Sequence, residues 1–162
     1  MPKQKPGRSR QDYQTPRQFI DAVEDRFGSL DLDLAAHQGN HITPRYYGPG
    51  GLVPDSLAVE WPLTGNLWLN PEFGYITPWA KKCYESKQRP NNQAYIFFLV
   101  PASVGSDWYA EWVHDKAYVL ALNGRIPFDP ARPTWGYPKD CILAVFGPRY
   151  LPGFTIWNWR KR

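Results

Sequence analysis

Pro71 follows the apolar run Leu67-Trp68-Leu69 with a single residue, Asn70, between them. Proline has no backbone N–H to give to a ladder, so a short buried strand over 66–70 must end there and pass the chain to a loop. The stretch NLWLNPEFG, residues 66 to 74, therefore sets an amide side chain and, three residues on, the aromatic Phe73 at the end of a strand. In open α/β sheets, ligands bind at the carboxyl ends of strands, which makes this junction the first place to look for a site.

The remaining pattern fits such a sheet. Thr15-Pro16 reads as a helix N-cap with proline at the first helical position, and Phe19, Ile20, Val23 and Phe27 recur at helical spacing until Gly28. A strand follows at about 30–35. Residues 38–65, rich in Gly and Pro, hold no long periodic segment and read as an irregular crossover with a short strand or turn near 57–59. Gly48-Pro49-Gly50-Gly51 within it reads as a mobile loop, because it neither follows a clear strand nor opens a helix. Beyond 66–70 come a helix at about 78–87, a strongly apolar strand at 94–100, a short helix at 107–114 starting near Ser106, and strands at 118–122 and 142–146. The tail 154–159 alternates as an edge strand does, or is irregular. Strands alternating with helices predict an α/β sheet, largely parallel, with room for an antiparallel strand at the end. Strand ends at Asp33, Asn70 and Val100 then gather along one edge.

The chemistry available at Asn70 follows from its atoms. A planar exocyclic amine such as that of adenine is a poor nucleophile, because its lone pair is delocalised into the ring. The Asn70 side-chain oxygen and the Pro71 carbonyl offer acceptors for its two N–H bonds, which favours a tetrahedral nitrogen with its lone pair aimed at an electrophile. Phe73 offers a face for base stacking, a contact of roughly 1–3 kcal/mol in single-strand binding proteins. Taken alone, Asn-Pro followed by an aromatic is equally a turn initiator.

A chain of 162 residues suffices for one domain with a sizeable core, and no break in composition argues for two. The expected division is a basic flexible arm at 1–10, the domain proper at 11–150, and an aromatic and basic tail at 151–162. The net charge of +4 suits an anionic partner. Lys3, Lys5, Arg8 and Arg10 crowd the first ten residues and Arg160, Lys161 and Arg162 close the chain, so both ends are candidates for phosphate contacts, or serve solubility alone. Eight tryptophans and ten tyrosines are mostly core, with Trp135 and Tyr137 set aside as loop-tip candidates for stacking on bases. Cys83 and Cys141 have neither metal-ligand nor redox spacing, and there is no signal peptide or membrane span, so a reduced cytoplasmic setting is expected. His37 and His41 have ligand spacing only on a helix, which Gly39-Asn40 opposes, so no metal is expected.

Several motifs then fall in order: Tyr13-Gln14-Thr15-Pro16, Leu30-Asp31-Leu32-Asp33-Leu34-Ala35-Ala36, Asp55-Ser56-Leu57, Trp61, Asn70-Pro71-Glu72-Phe73, Val100-Pro101-Ala102 and Gly124-Arg125-Ile126-Pro127-Phe128. In this order and spacing, over roughly residues 11–147, the chain resembles the phage-type DNA N6-adenine methyltransferases, the small Dam-like family. The family loop is typically Asn-Pro-Pro-Tyr/Phe; here Glu72 replaces the second proline. Both acceptors survive that change, so its cost falls on loop stiffness.

The resemblance implies a single-domain Rossmann-like methyltransferase sheet with helices on both faces, S-adenosylmethionine as cofactor, double-stranded DNA as partner, and adenine flipped out of the duplex into the Asn70 loop. It implies catalytic roles for Asn70, Pro71 and Phe73. Donor contacts are implied for Thr15, Pro16, Asp33, Ala35, Asp55 and Asn70: Asp33 through the donor's ammonium group or through backbone, Asp55 through its adenine amine. Thr15 as a helix cap and Asp55 as a solvated turn residue stay open. Phe73, Arg125, Arg160 and the basic arm are the implied nucleic-acid contacts, although Arg125 at a strand end is also simply solvated in many proteins. The expected setting is the cytoplasm of a bacterial host, with phage DNA protected from restriction. Oligomeric state stays open, a homodimer included. Rival readings are a catalytically silent DNA-binding relative, or a methyltransferase for cytosine N4, RNA or protein glutamine. A metal-dependent nuclease is disfavoured because Pro54-Asp55 and Glu60-Trp61 lack the accompanying lysine.

Overall fold

The computed structural model describes residues 14–161. Its centre is β3 (Tyr95–Pro101), where six consecutive residues are buried. A strand apolar on both sides must be covered on both sides. Ile96, Phe98 and Val100 point into one core layer with α2 (Thr77–Lys87) and α3 (Asp107–Trp112). Phe97 and Leu99 point into the other with α1 (Arg17–Phe27). Helices thus cover both faces.

Six strands form one sheet in the order β1-β2-β3-β5-β4-β6. β1 (Leu32–Asp33), β2 (Asn66–Leu69) and β3 run parallel. β5 (Cys141–Phe146) is antiparallel and is wedged between β3 and β4 (Tyr118–Leu122), whereas β6 (Gly153–Trp157) runs parallel to β4 on the outer edge. The antiparallel strand expected near the end of the chain is therefore internal to the sheet. The alternating segment at 154–159 does supply an edge strand, and Trp159 beyond it is buried, with its indole N–H donating to the Gly124 carbonyl at 2.8 Å.

Local differences from the sequence reading have identifiable causes. β1 is only two residues long, and a segment at 45–47 lies along it: Asp33 N–H donates to the Arg45 carbonyl at 3.2 Å and Tyr47 N–H to the Asp33 carbonyl at 2.8 Å. The edge of the sheet is thereby covered. Residues 57–59 fall in and just after a 3-10 turn (Ser56–Ala58) capped by Asp55. The Gly48 loop is docked rather than loose. Gly48 is buried at φ +135°, and a Cβ there would lie 1.7 Å from the Ala36 carbonyl oxygen. Pro16, not Thr15, is the N-cap of α1, and no side chain caps this helix.

Candidate active site

The carboxyl ends of β1 and β2 lie side by side, and α1 closes over them. Phe19, fully buried, packs against Trp68 of β2 with ring centroids 6.2 Å apart. That contact brings the start of α1 to the end of β2, so residues 55 positions apart in the chain meet: Asn70 Nδ2 donates to Thr15 Oγ1 at 2.9 Å. Thr15 is 4% exposed, so this is an enclosed contact. The other end of the amide, Asn70 Oδ1, is buried and finds no hydrogen-bond partner among the described residues. A buried carbonyl oxygen left unpaired costs about 1–3 kcal/mol, and such an exception to the pairing rule calls for a reason.

The strap at 14–16 is held from both sides. Gln14 Nε2 donates to the His41 carbonyl at 2.8 Å, and the Pro16 carbonyl accepts from the N–H groups of Phe19 and Ile20 at 3.0 and 3.2 Å. Next to it, Ile42 N–H donates to Asp33 Oδ2 at 3.1 Å and Ala35 N–H to Asp33 Oδ1 at 3.2 Å. Asp33 is 3% exposed. Burial pushes its carboxyl up from 3.8 to about 6, against the two amide hydrogen bonds and the nearby His41, which pull it down. The carboxylate thus shapes the loop after β1, with each oxygen already holding a backbone amide. Gln14, Thr15, Arg17, Ile20 and Ile42 line a cleft of about 100 Å³ between these segments.

Beyond Asn70 the loop holds its aromatic firmly. Pro71 is buried and Glu72 exposed. The half-buried Phe73 ring meets Phe128 and Tyr137 edge to face at 6.0 and 5.4 Å. The Gly124-Arg125-Ile126-Pro127-Phe128 segment therefore reaches the Asn70 loop through Phe128, and Tyr137 closes the cluster by donating its backbone N–H to the Ile126 carbonyl at 2.7 Å. Arg125 is exposed and pairs with Asp140 at 3.4 Å, while Arg160 donates to the Arg125 carbonyl at 2.9 Å. Two expected nucleic-acid contacts thus stand together on one surface. Trp135 nearby is 65% exposed, with the Arg132 guanidinium 4.9 Å from its ring centroid.

Asp55 has a different setting. Its side chain accepts from Leu57 N–H at 3.1 Å at the head of the 3-10 turn, and its charge acts on Lys82 of α2. Lys3, Lys5, Arg8 and Arg10 lie outside the described residues. Gln14 stands in the Tyr13-Gln14-Thr15-Pro16 motif. Sequence reasoning missed Ile42 and Phe128 as supports of the site; the signal for Phe128 was its place in the Gly-Arg-Ile-Pro-Phe segment, whereas Ile42 carried none. Among the described residues no group of three or more His, Cys, Asp or Glu is placed to hold a metal ion, and no helix is long and apolar enough to cross a membrane.

A mixed α/β sheet covered on both faces, with an oriented amide at the carboxyl end of a parallel strand, defines an α/β protein whose candidate site is at its strand ends. Comparison with known proteins narrows the class. The chain belongs to the DNA N-6-adenine-methyltransferase (Dam) family, whose sequence model matches residues 3–142. It is 29% identical over 117 residues to the DNA N-6-adenine-methyltransferase of Escherichia phage T1, an alignment that takes in 72% of this chain and 47% of that protein. The chain thus spans about half the length of the curated relative it matches. No solved structure matches it.

Proposed function

We propose that this chain transfers a methyl group from S-adenosylmethionine to the N6 amine of adenine in DNA. The observation that carries the reading is the unpaired, buried Oδ1 of Asn70, set by the Thr15 contact at the other end of the same amide. An acceptor with no partner among the described residues is suited to a donor on a substrate. Family membership and the phage T1 relative support adenine in DNA as that substrate.

In this mechanism Asn70 Oδ1 and the Pro71 carbonyl each accept one N–H of the adenine amine. These two bonds draw the nitrogen toward a tetrahedral shape and free its lone pair. Phe73, its ring held by Phe128 and Tyr137, stacks on a base flipped from double-stranded DNA, at a flipping cost of a few kcal/mol. When bound, S-adenosylmethionine supplies an electrophilic methyl group on a sulfonium. Asn70 and Pro71 would hold N6 with its lone pair toward that methyl group, and the proton released from N6 would pass to water, with exposed Glu72 beside the loop. The charge beside the cleft suits the cationic part of that donor. The cleft beside Thr15 is lined by Ile42, whose amide holds Asp33, so above about pH 6 a negative charge stands behind the wall of a site for a cationic ligand. Arg125, Arg160 and the basic residues before position 11 serve the DNA backbone, and the Rossmann-like arrangement of the donor site belongs to the same reading.

The test is calorimetric titration with S-adenosylmethionine, with and without an unmethylated duplex, followed by mass analysis of the nucleosides. Donor binding with N6-methyladenine formed is expected. DNA binding without donor binding would instead mark a fold that has lost its chemistry. Asn70→Ala should lower transfer by about 100-fold or more, the scale seen when one preorganised hydrogen-bonding group is removed, with donor affinity within a few-fold. Loss of both together would make Asn70 structural and refute the role.

A further inference from the structure

We infer that Thr15 is a positioning residue whose hydroxyl anchors the Nδ2 end of the Asn70 amide and so holds Oδ1 toward the substrate, an inference that rests on the adenine-methylating reading of this site. The two ends of an asparagine amide are nearly equal in size, and a threonine hydroxyl can accept from Nδ2 or donate to Oδ1; in this structure it accepts. Here Thr15 Oγ1 accepts from Nδ2 at 2.9 Å inside an enclosed contact, and Oδ1 is the end left buried and without a partner among the described residues. Were the amide turned over, its NH2 group would face the substrate amine, and two donors would meet with no acceptor between them.

The surroundings show why Thr15 can do this. The strap is anchored on one side by Gln14 to the His41 carbonyl, and on the other by the Pro16 carbonyl accepting from the first turn of α1. Phe19, one turn along, is seated on Trp68, the residue two before Asn70. Thr15 is thus held between the loop after β1 and the start of α1, and α1 is itself seated on the strand that ends at Asn70. It makes no side-chain cap for α1, so its hydroxyl is not committed to the helix.

The experiment compares Thr15→Val, which keeps the shape and removes the acceptor, with Thr15→Ser, which keeps the hydroxyl. In the valine variant kcat should fall by about 10- to 100-fold, the range for a displaced catalytic group, with donor affinity and the KM for DNA within about threefold. The serine variant should recover most of the lost rate. If the valine variant does not fold, Thr15→Ala takes its place. A second readout is independent of activity: solvent exchange of the Asn70 side-chain NH2 protons, followed by NMR. These should be protected in the wild type and the serine variant, and exposed to exchange in the valine or alanine variant.

Unchanged exchange in that variant overturns the inference, as does a serine variant no better than valine. A donor affinity that falls tenfold with kcat intact also overturns it, and would make Thr15 a donor contact. A wild type that forms no N6-methyladenine but shows the expected exchange pattern would sink the proposed function and leave the hydroxyl's control of the amide standing.

Discussion

Replacing Gly48 by alanine should cost far more than its place in a Gly-Pro-Gly-Gly loop suggests. The added Cβ would lie 1.7 Å from the Ala36 carbonyl oxygen and 2.8 Å from its carbon, so one backbone segment must retreat by roughly 1.5 Å to restore ordinary contact. The retreat strains two hydrogen bonds, Ala36 N–H to the Tyr47 carbonyl at 3.0 Å and Gly48 N–H to the Val53 carbonyl at 2.8 Å, each worth about 0.5–1.5 kcal/mol. Overpacking adds about 1–3 kcal/mol. A φ of +135° in a residue with a side chain adds about 1–3 more. Together these give roughly 3–9 kcal/mol, a large part of the 5–15 kcal/mol that holds a domain folded. In urea, with a slope of about 2 kcal/mol/M, the midpoint should drop by about 1.5 M or more. Donor affinity should fall with it, because Tyr47 N–H holds the Asp33 carbonyl. Gly105→Ala is the control: nothing lies within 4 Å of its Cβ and its φ is not positive, so a change within about 0.5 kcal/mol is expected. A loss below about 1 kcal/mol for Gly48→Ala would refute the close approach on which the reasoning depends.

Two other perturbations test separate parts of the structure. The Asp33 carboxyl, raised from 3.8 to about 6 by burial, should show an NMR titration midpoint near 6. Because the folded protein holds this proton more tightly than the unfolded chain, the group's contribution is full below about pH 3.8 and is lost as pH rises through 6. At about 1.4 kcal/mol per pH unit, stability at pH 7 is about 2 kcal/mol lower than at pH 4 on its account. A midpoint below 4 would mean the carboxylate is solvated. Trp159→Phe removes a hydrogen bond to the Gly124 carbonyl and part of a buried ring packed edge-on against Phe19 at 5.2 Å, and should cost about 2–3 kcal/mol by denaturant titration. A loss under 0.5 kcal/mol would show that the C-terminal segment is not part of the cooperative unit.

Several elements were legible from local pattern alone. The run at 95–101 is apolar enough to demand burial on both faces, α1 carries helical periodicity, and Pro71 ends β2 where a proline must. The junction at Asn70 was visible for that reason, since a strand that ends on an amide and a proline announces itself without tertiary knowledge. The motif order further identified the family, because six short segments at set spacings are jointly specific even when each is weak.

What decided the rest was contact between distant residues. Local rules assign Thr15 to a helix cap; the seating of Phe19 on Trp68 makes it the partner of Asn70 instead. The same rules read Gly48 as looseness, yet it is glycine because the Ala36 carbonyl occupies the space of a side chain. Nothing in the apolar run at 141–146 tells that it pairs with both β3 and β4, because a period of two fixes the faces of a strand but not its neighbours. The sequence by itself determined which segments had to be buried and which chemistry Asn70, Pro71 and Phe73 could offer. Only the tertiary structure brought a partner to the Asn70 amide, because that partner is a hydroxyl 55 positions away, carried there by the packing of Phe19 on Trp68.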